Sequence, residues 1–105
     1  RLHYQTALDI KIEYGDRYSQ ASTYAQLGLL AEALENLPEA QANLLQALQI
    51  FAEFNDDYMT GRVIQDLARI YRTTQDAELL SAIAQIFGCT VAEVQAVIAA
   101  MGEEG

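Results

Sequence analysis

Apolar side chains along this chain recur at intervals of three and four, the spacing that lines one face of an α-helix. Ile64, Leu67, Ala68 and Tyr71 make one such stripe, and Val91, Val94, Val97, Ile98 and Met101 make another. Between the stripes stand residues that end and start helices. Gly15 and Asn55 are types that readily enter the left-handed conformation that closes a helix, and each is followed at once by an aspartate. Asp16 and Asp56 are suited to accept hydrogen bonds from the free amides of the next helix and to complement its dipole. Asn36 and Asp76 are two more N-cap types; Pro38 and Glu39 follow Asn36 as a helix start requires. The pattern predicts helices over about 2–14, 17–33, 37–54, 57–73, 77–87 and 91–101. Their connections are short enough to set neighbours antiparallel.

The chain also repeats itself. Residues 7–18 read ALDIKIEYGDRY and residues 47–58 read ALQIFAEFNDDY, so that Ala7, Leu8, Ile10, Glu13, Asp16 and Tyr18 return forty places later. Leu27 and Leu67 extend the correspondence, as do the paired caps Asn36 and Asp76. A fixed period of this length is the mark of a helical repeat, in which each helix pair buries its apolar face only against its neighbours. The organisation expected is one domain over 1–105. A partial repeat occupies 1–15, a full repeat 16–55 and a divergent second repeat 56–88, and a capping helix and tail close the chain over 89–105.

Within the full repeat, Tyr24-x2-Leu27-Gly28-x2-Ala31 followed by Ala40-x3-Leu44-x2-Ala47 places small residues where two helices meet and large ones in the gap between them. This pattern resembles the tetratricopeptide repeat, in its longer variant of about forty residues found in kinesin light chains, cell-polarity adaptors and bacterial signalling proteins. The resemblance covers about residues 4–87. It implies an all-α, right-handed superhelical array of antiparallel helix pairs, here ending in a C-terminal capping helix pair. It also implies a protein–protein interaction module of a larger cytoplasmic protein, not an enzyme, with a peptide or protein segment held in the groove of the array. The second repeat departs from the pattern, with Leu80, Ala84 and Phe87 where small, large and small residues belong.

Composition narrows the partners. A net charge of −9 opposes binding to nucleic acid or anionic lipid, both of which require Lys and Arg against phosphate. All six basic residues lie between Arg1 and Arg72, so the last 33 residues are purely acidic. No apolar run is long enough to span a membrane, because Gln85, Glu93 and Gln95 interrupt the most apolar stretch. The domain is expected to be soluble. A single cysteine excludes an internal disulfide, and with one histidine it builds no four-ligand zinc site within the chain. No cofactor is expected. The chain starts inside an amphipathic pattern at Arg1, which suggests an excerpt from a longer protein. A half-repeat at its N-terminus, with Leu8, Ile10, Ile12 and Tyr14 on more than one side, suggests a surface for association with a second copy.

Candidate chemistry is sparse. An enzyme reading would run through His3 as a base for Ser19 or Ser22, for which nothing identifies an orienting carboxylate, or through Cys89, which has no His, Lys or Arg near it in sequence. Residues 77–101 offer the outline of a helix-turn-helix, with Gly88 in its turn. Its second helix presents Ala92, Glu93, Gln95 and Ala96, and no base, where a DNA reader carries contacts. Thr90 and Glu93 form a capping box for that helix. One cluster stands out. Arg62, Gln65, Arg69 and Arg72 fall at i, i+3, i+7 and i+10, three of the six basic residues on one helix face. By the resemblance, this helix lines the inner groove and these positions face a bound peptide, which the guanidinium chemistry predicts to be acidic. The competing account is a solvated face with Asp66 pairing Arg62 or Arg69.

Overall fold

The structure is a computed structural model. It describes residues 16–104, with side chains through Met101. The helix expected over 2–14, together with His3, Tyr4, Tyr14 and the left-handed cap expected at Gly15, lies outside the described residues. Within them the chain forms five helices: α1 (Arg17–Ala33), α2 (Leu37–Glu53), α3 (Asp57–Thr74), α4 (Ala77–Phe87) and α5 (Val91–Glu104).

The helix starts follow from their caps. Asn36 accepts from the Glu39 amide and its own amide group donates to the Glu39 carboxylate at 3.2 Å. Asp56 accepts from the Met59 amide at 3.0 Å, and Asp76 from the Glu78 amide at 3.0 Å. These bonds satisfy first-turn donors that have no partner inside the helix. Thr90 and Glu93 close the capping box predicted for α5, the Glu93 amide donating to Thr90 Oγ1 at 3.1 Å and the Thr90 amide to Glu93 Oε1 at 2.9 Å. Asp16 is the exception: it occupies the N-cap of α1, but its side chain makes no capping bond. Asn55 adopts the left-handed conformation expected of it, and Glu35, Gln75 and Gly88 do so at the other three turns.

α1 and α2 make the closest helix pair, and α3 packs next against α2. The tight first pair depends on small residues, with Gly28, Ala40 and Ala47 all buried and Leu44 filling the space between them. The second pair is built differently. Leu80 replaces the small residue at the Ala40 position and is buried, Ala84 replaces Leu44, and Phe87 replaces Ala47 but stays 41% exposed. A leucine on the contact side of α4 prevents the close backbone approach that an alanine permits. α3 and α4 accordingly lack the intimate packing of α1 and α2, and α4 lies against α2 and α5 instead. The link between α3 and α4 is also shorter, two residues (Gln75, Asp76) against the three (Leu34, Glu35, Asn36) that join α1 to α2. The inverted residue sizes thus go with a re-packed second helix pair.

α5 then folds back at 105° to α4, burying Val94 and Ile98 against the core and touching α3. No single helix among the described residues is long and apolar enough to cross a membrane.

Candidate protein-binding face

The four residues singled out by spacing lie on one side of α3, and the structure gives each a different situation. Arg69 is the most constrained. Its Nε and Nη2 reach both oxygens of Glu32 on α1 at 2.7 Å each, a two-pronged pair, and Nη2 also donates to Asp66 at 2.9 Å. The fork of the guanidinium matches the carboxylate plane, so this pair fixes a direction as well as a distance. It ties α1 to α3 across the face, two helices that otherwise scarcely approach each other. The bond from Arg69 holds the Glu32 carboxyl below the usual glutamate range, against the opposing effect of partial burial. Arg69 is correspondingly raised by Glu32 first, net of desolvation, with Asp66 adding to it.

Arg62 lies two turns toward the N-terminus and is exposed; its Nη1 donates to the Tyr58 hydroxyl at 3.4 Å. Asp66 thus takes Arg69, at i+3, as its ion-pair partner and not Arg62. Gln65 is exposed. Arg72 sends Nη2 to the carbonyl of Ile98, midway along α5, at 3.2 Å. This charge-assisted bond ties α3 to α5. Setting three arginines against Glu32 and Asp66 leaves a net +1 on the stripe. Sequence spacing located the arginines and missed Glu32, whose only signal is its place on α1, 37 residues before Arg69.

A second set of polar contacts knits the start of α1 to the end of α2. Arg17 forms a two-pronged pair with Glu53 at 2.9 Å for each prong. Tyr18 donates its hydroxyl to Asp56 and sets its ring edge-on to Phe51 and Phe54, with centroids 5.5 and 5.4 Å away. These aromatics pack between the helices, and the Tyr18 hydroxyl also orients the N-cap of α3. Asp56 is held below the usual aspartate range by Tyr18 first and by the Met59 amide second.

Between α2 and α4 runs an open recess of about 350 Å³ lined by Leu45, Gln46, Gln49, Ala82, Gln85 and Ile86, none of them charged. The α4–α5 pair has the crossing expected of a helix-turn-helix, about 90–120°. The residues it exposes on α5 include Ala92, Glu93, Gln95 and Ala96 and no base. Cys89 is a half-buried free thiol packed at the edge of the core.

Consecutive helix pairs of one period, short left-handed turns and small residues at the tight crossing define an α-helical repeat array. The family model for the tetratricopeptide repeat matches residues 19–79. The chain belongs to the tetratricopeptide repeat family, whose repeats mediate protein–protein interaction and are not catalytic centres. No curated protein and no solved structure matches it.

Proposed function

We propose that this domain is an interaction module of a larger, cytoplasmic protein and holds a peptide or protein segment along the face shared by α1 and α3. The observation that carries the reading is the Arg69–Glu32 pair. It braces the two helices that border the face and leaves Arg62 and Gln65 exposed beside it. A braced face loses little freedom on binding, which favours affinity without large area.

An acidic segment fits this face through Arg62 and Arg72. Each makes one hydrogen bond internally while a guanidinium carries five donors, so both retain donors for a ligand carboxylate. Arg69 contributes less charge than its sequence position suggests, because two carboxylates already meet it. Gln65 is suited to the partner's backbone, since a carboxamide both donates and accepts. With a short face and partly exposed ion pairs of at most about 1 kcal/mol each, the affinity belongs in the micromolar range.

The test uses an array of ten-residue peptides graded from neutral to Asp/Glu-rich, followed by titration of the best against Arg62→Ala, Gln65→Ala and Arg72→Ala. Affinity that rises with acidic content, falls with salt and drops in the Arg62 and Arg72 variants supports the reading. Binding indifferent to salt and to all three substitutions removes it.

A further inference from the structure

The helices of this array differ in charge. Five charged side chains stand along α3, whereas no residue from Ala40 to Ala52 on α2, or from Leu79 to Phe87 on α4, is charged. The recess between α2 and α4 lies between these two neutral stretches, in a chain whose net charge is −9. Its lining follows from the repeat. Leu45 and Gln85 are forty residues apart, and so are Gln46 and Ile86, so the two walls hold the same pair of positions with the aliphatic residue and the carboxamide exchanged. Leu45 and Ile86, half-buried and packed against the core, give the recess its apolar lining, while Gln46, Gln49 and Gln85 stand exposed along it. Among the described residues these three carboxamides make no hydrogen bond, unlike those of Gln41 and Gln75, which donate to Asp76 and to the last turn of α3.

We propose that this recess is a second docking site, and that its occupant is an uncharged, extended segment of a partner protein read through its main chain. A carboxamide offers a donor and an acceptor together, the same pair that a peptide group carries, so three of them match an extended backbone whose own groups are unpaired. A helix has already satisfied those groups within itself and leaves the carboxamides only side chains to bind. Charge narrows the occupant further, because a charged side chain entering here loses hydration with no opposite charge to meet it. Alternate side chains of an extended segment point to one face, so a Leu, Ile or Val at every second residue reaches Leu45 and Ile86 while the backbone stays level with the glutamines. At about 350 Å³ the recess is at the small end of ligand-bearing clefts, roughly 300–1,000 Å³, which suits a short segment. Binding of this kind is indifferent to salt, which separates it from the arginine face and its acidic ligand.

The experiment titrates the ¹⁵N-labelled 105-residue chain with acetylated, amidated hexapeptides of Ser and Thr that carry Leu, Ile, Val or Ala at the second and fourth positions. The side-chain amide signals of Gln46, Gln49 and Gln85 are expected to shift along one saturating curve, with a Kd of roughly 0.1–1 mM that is the same at low and high salt. The aliphatic peptides are expected to bind more tightly than the alanine one. Replacing an aliphatic residue of the best peptide by Glu, or N-methylating its backbone at alternate residues, is expected to abolish the shifts. Gln49→Ala and Gln85→Ala, both at exposed positions, are each expected to weaken binding roughly three- to tenfold without lowering the melting temperature. No saturable shift of the three carboxamides with any peptide overturns the proposal, as do binding that survives N-methylation and shifts confined to α1 and α3. A neutral amphipathic helical peptide that fills the recess more tightly than the best extended one overturns it in favour of a helical partner.

Discussion

Leu44 lies directly over Gly28: a methyl group placed on that glycine meets Leu44 Cγ at 2.6 Å and Cδ2 at 2.9 Å, with the Ala40 carbonyl at 3.3 Å. Leu44 is fully buried, so it has no open space to swing into. Gly28→Ala is therefore expected to destabilise by about 1–3 kcal/mol through overpacking, although helix propensity alone favours alanine by about 1 kcal/mol. Gly28→Leu is worse. The second repeat carries Ala68 and Ala84 at these two places, which indicates how the clash is relieved. In a cycle of Gly28→Ala and Leu44→Ala, the double variant is expected to lose less than the sum of the single losses. Strictly additive melting shifts count against the packing described here.

Gly61 provides the contrast on α3. A methyl group there meets nothing within 4 Å, and the backbone is ordinary helix. Gly61→Ala is expected to stabilise by about 0.5–1 kcal/mol, the gain coming from the reduced freedom of the unfolded chain. Denaturant unfolding with an unchanged slope and a higher midpoint checks it.

The two glycines show how far the sequence carries. The forty-residue period and the cap residues placed the ends of all five described helices to within a few residues, because a cap is a local matter between a side chain and amides two or three positions on. Gly28 was legible as a contact because the small-residue pattern of its repeat is intact. The fate of the second repeat was not. Leu80, Ala84 and Phe87 announced a departure, but which helix α4 chooses depends on the surfaces of α2 and α5, and those meet only in the folded chain. The arginine stripe was half legible for the same reason. Spacing put Arg62, Gln65, Arg69 and Arg72 on one face, while Glu32, which claims Arg69, arrives from another helix with no local mark.

The Glu32–Arg69 pair makes stability depend on acid. The Glu32 carboxyl is depressed in the fold relative to its ordinary value of 4.5. Its contribution is therefore complete above that value and is lost as the pH falls through the lower folded value. The pair is partly exposed, with Arg69 half open to solvent, so the contribution at neutral pH is about 0.5–1 kcal/mol. Glu32→Gln is expected to melt a few degrees below the parent protein at pH 7, and the difference is expected to shrink as the pH falls below 4.5. A difference that does not shrink on acidification assigns the loss to packing and not to charge.

Arg72 tests whether one residue serves both the terminal helix and the binding face. Its Nη2 donates to the carbonyl of Ile98, midway along α5, a charge-assisted bond that joins that helix to α3. α5 buries only Val94 and Ile98 among its described side chains, so a single charge-assisted bond is a large share of what holds it. Arg72→Met keeps the apolar length of the side chain and removes the fork, and is expected to cost about 1 kcal/mol. The loss is expected to be local. Hydrogen exchange in α5 accelerates while protection in α1 and α2 stays as it was, since sub-global opening of a terminal helix does not require the first repeat to unfold. Thr90→Ala, which removes the capping box at the start of α5, is expected to produce the same pattern with a similar loss of about 1 kcal/mol. This comparison separates the two roles of Arg72. If Arg72→Met weakens an acidic peptide and Thr90→Ala does not, the guanidinium meets the ligand directly; if both weaken it equally, Arg72 acts on binding only by holding α5 in place.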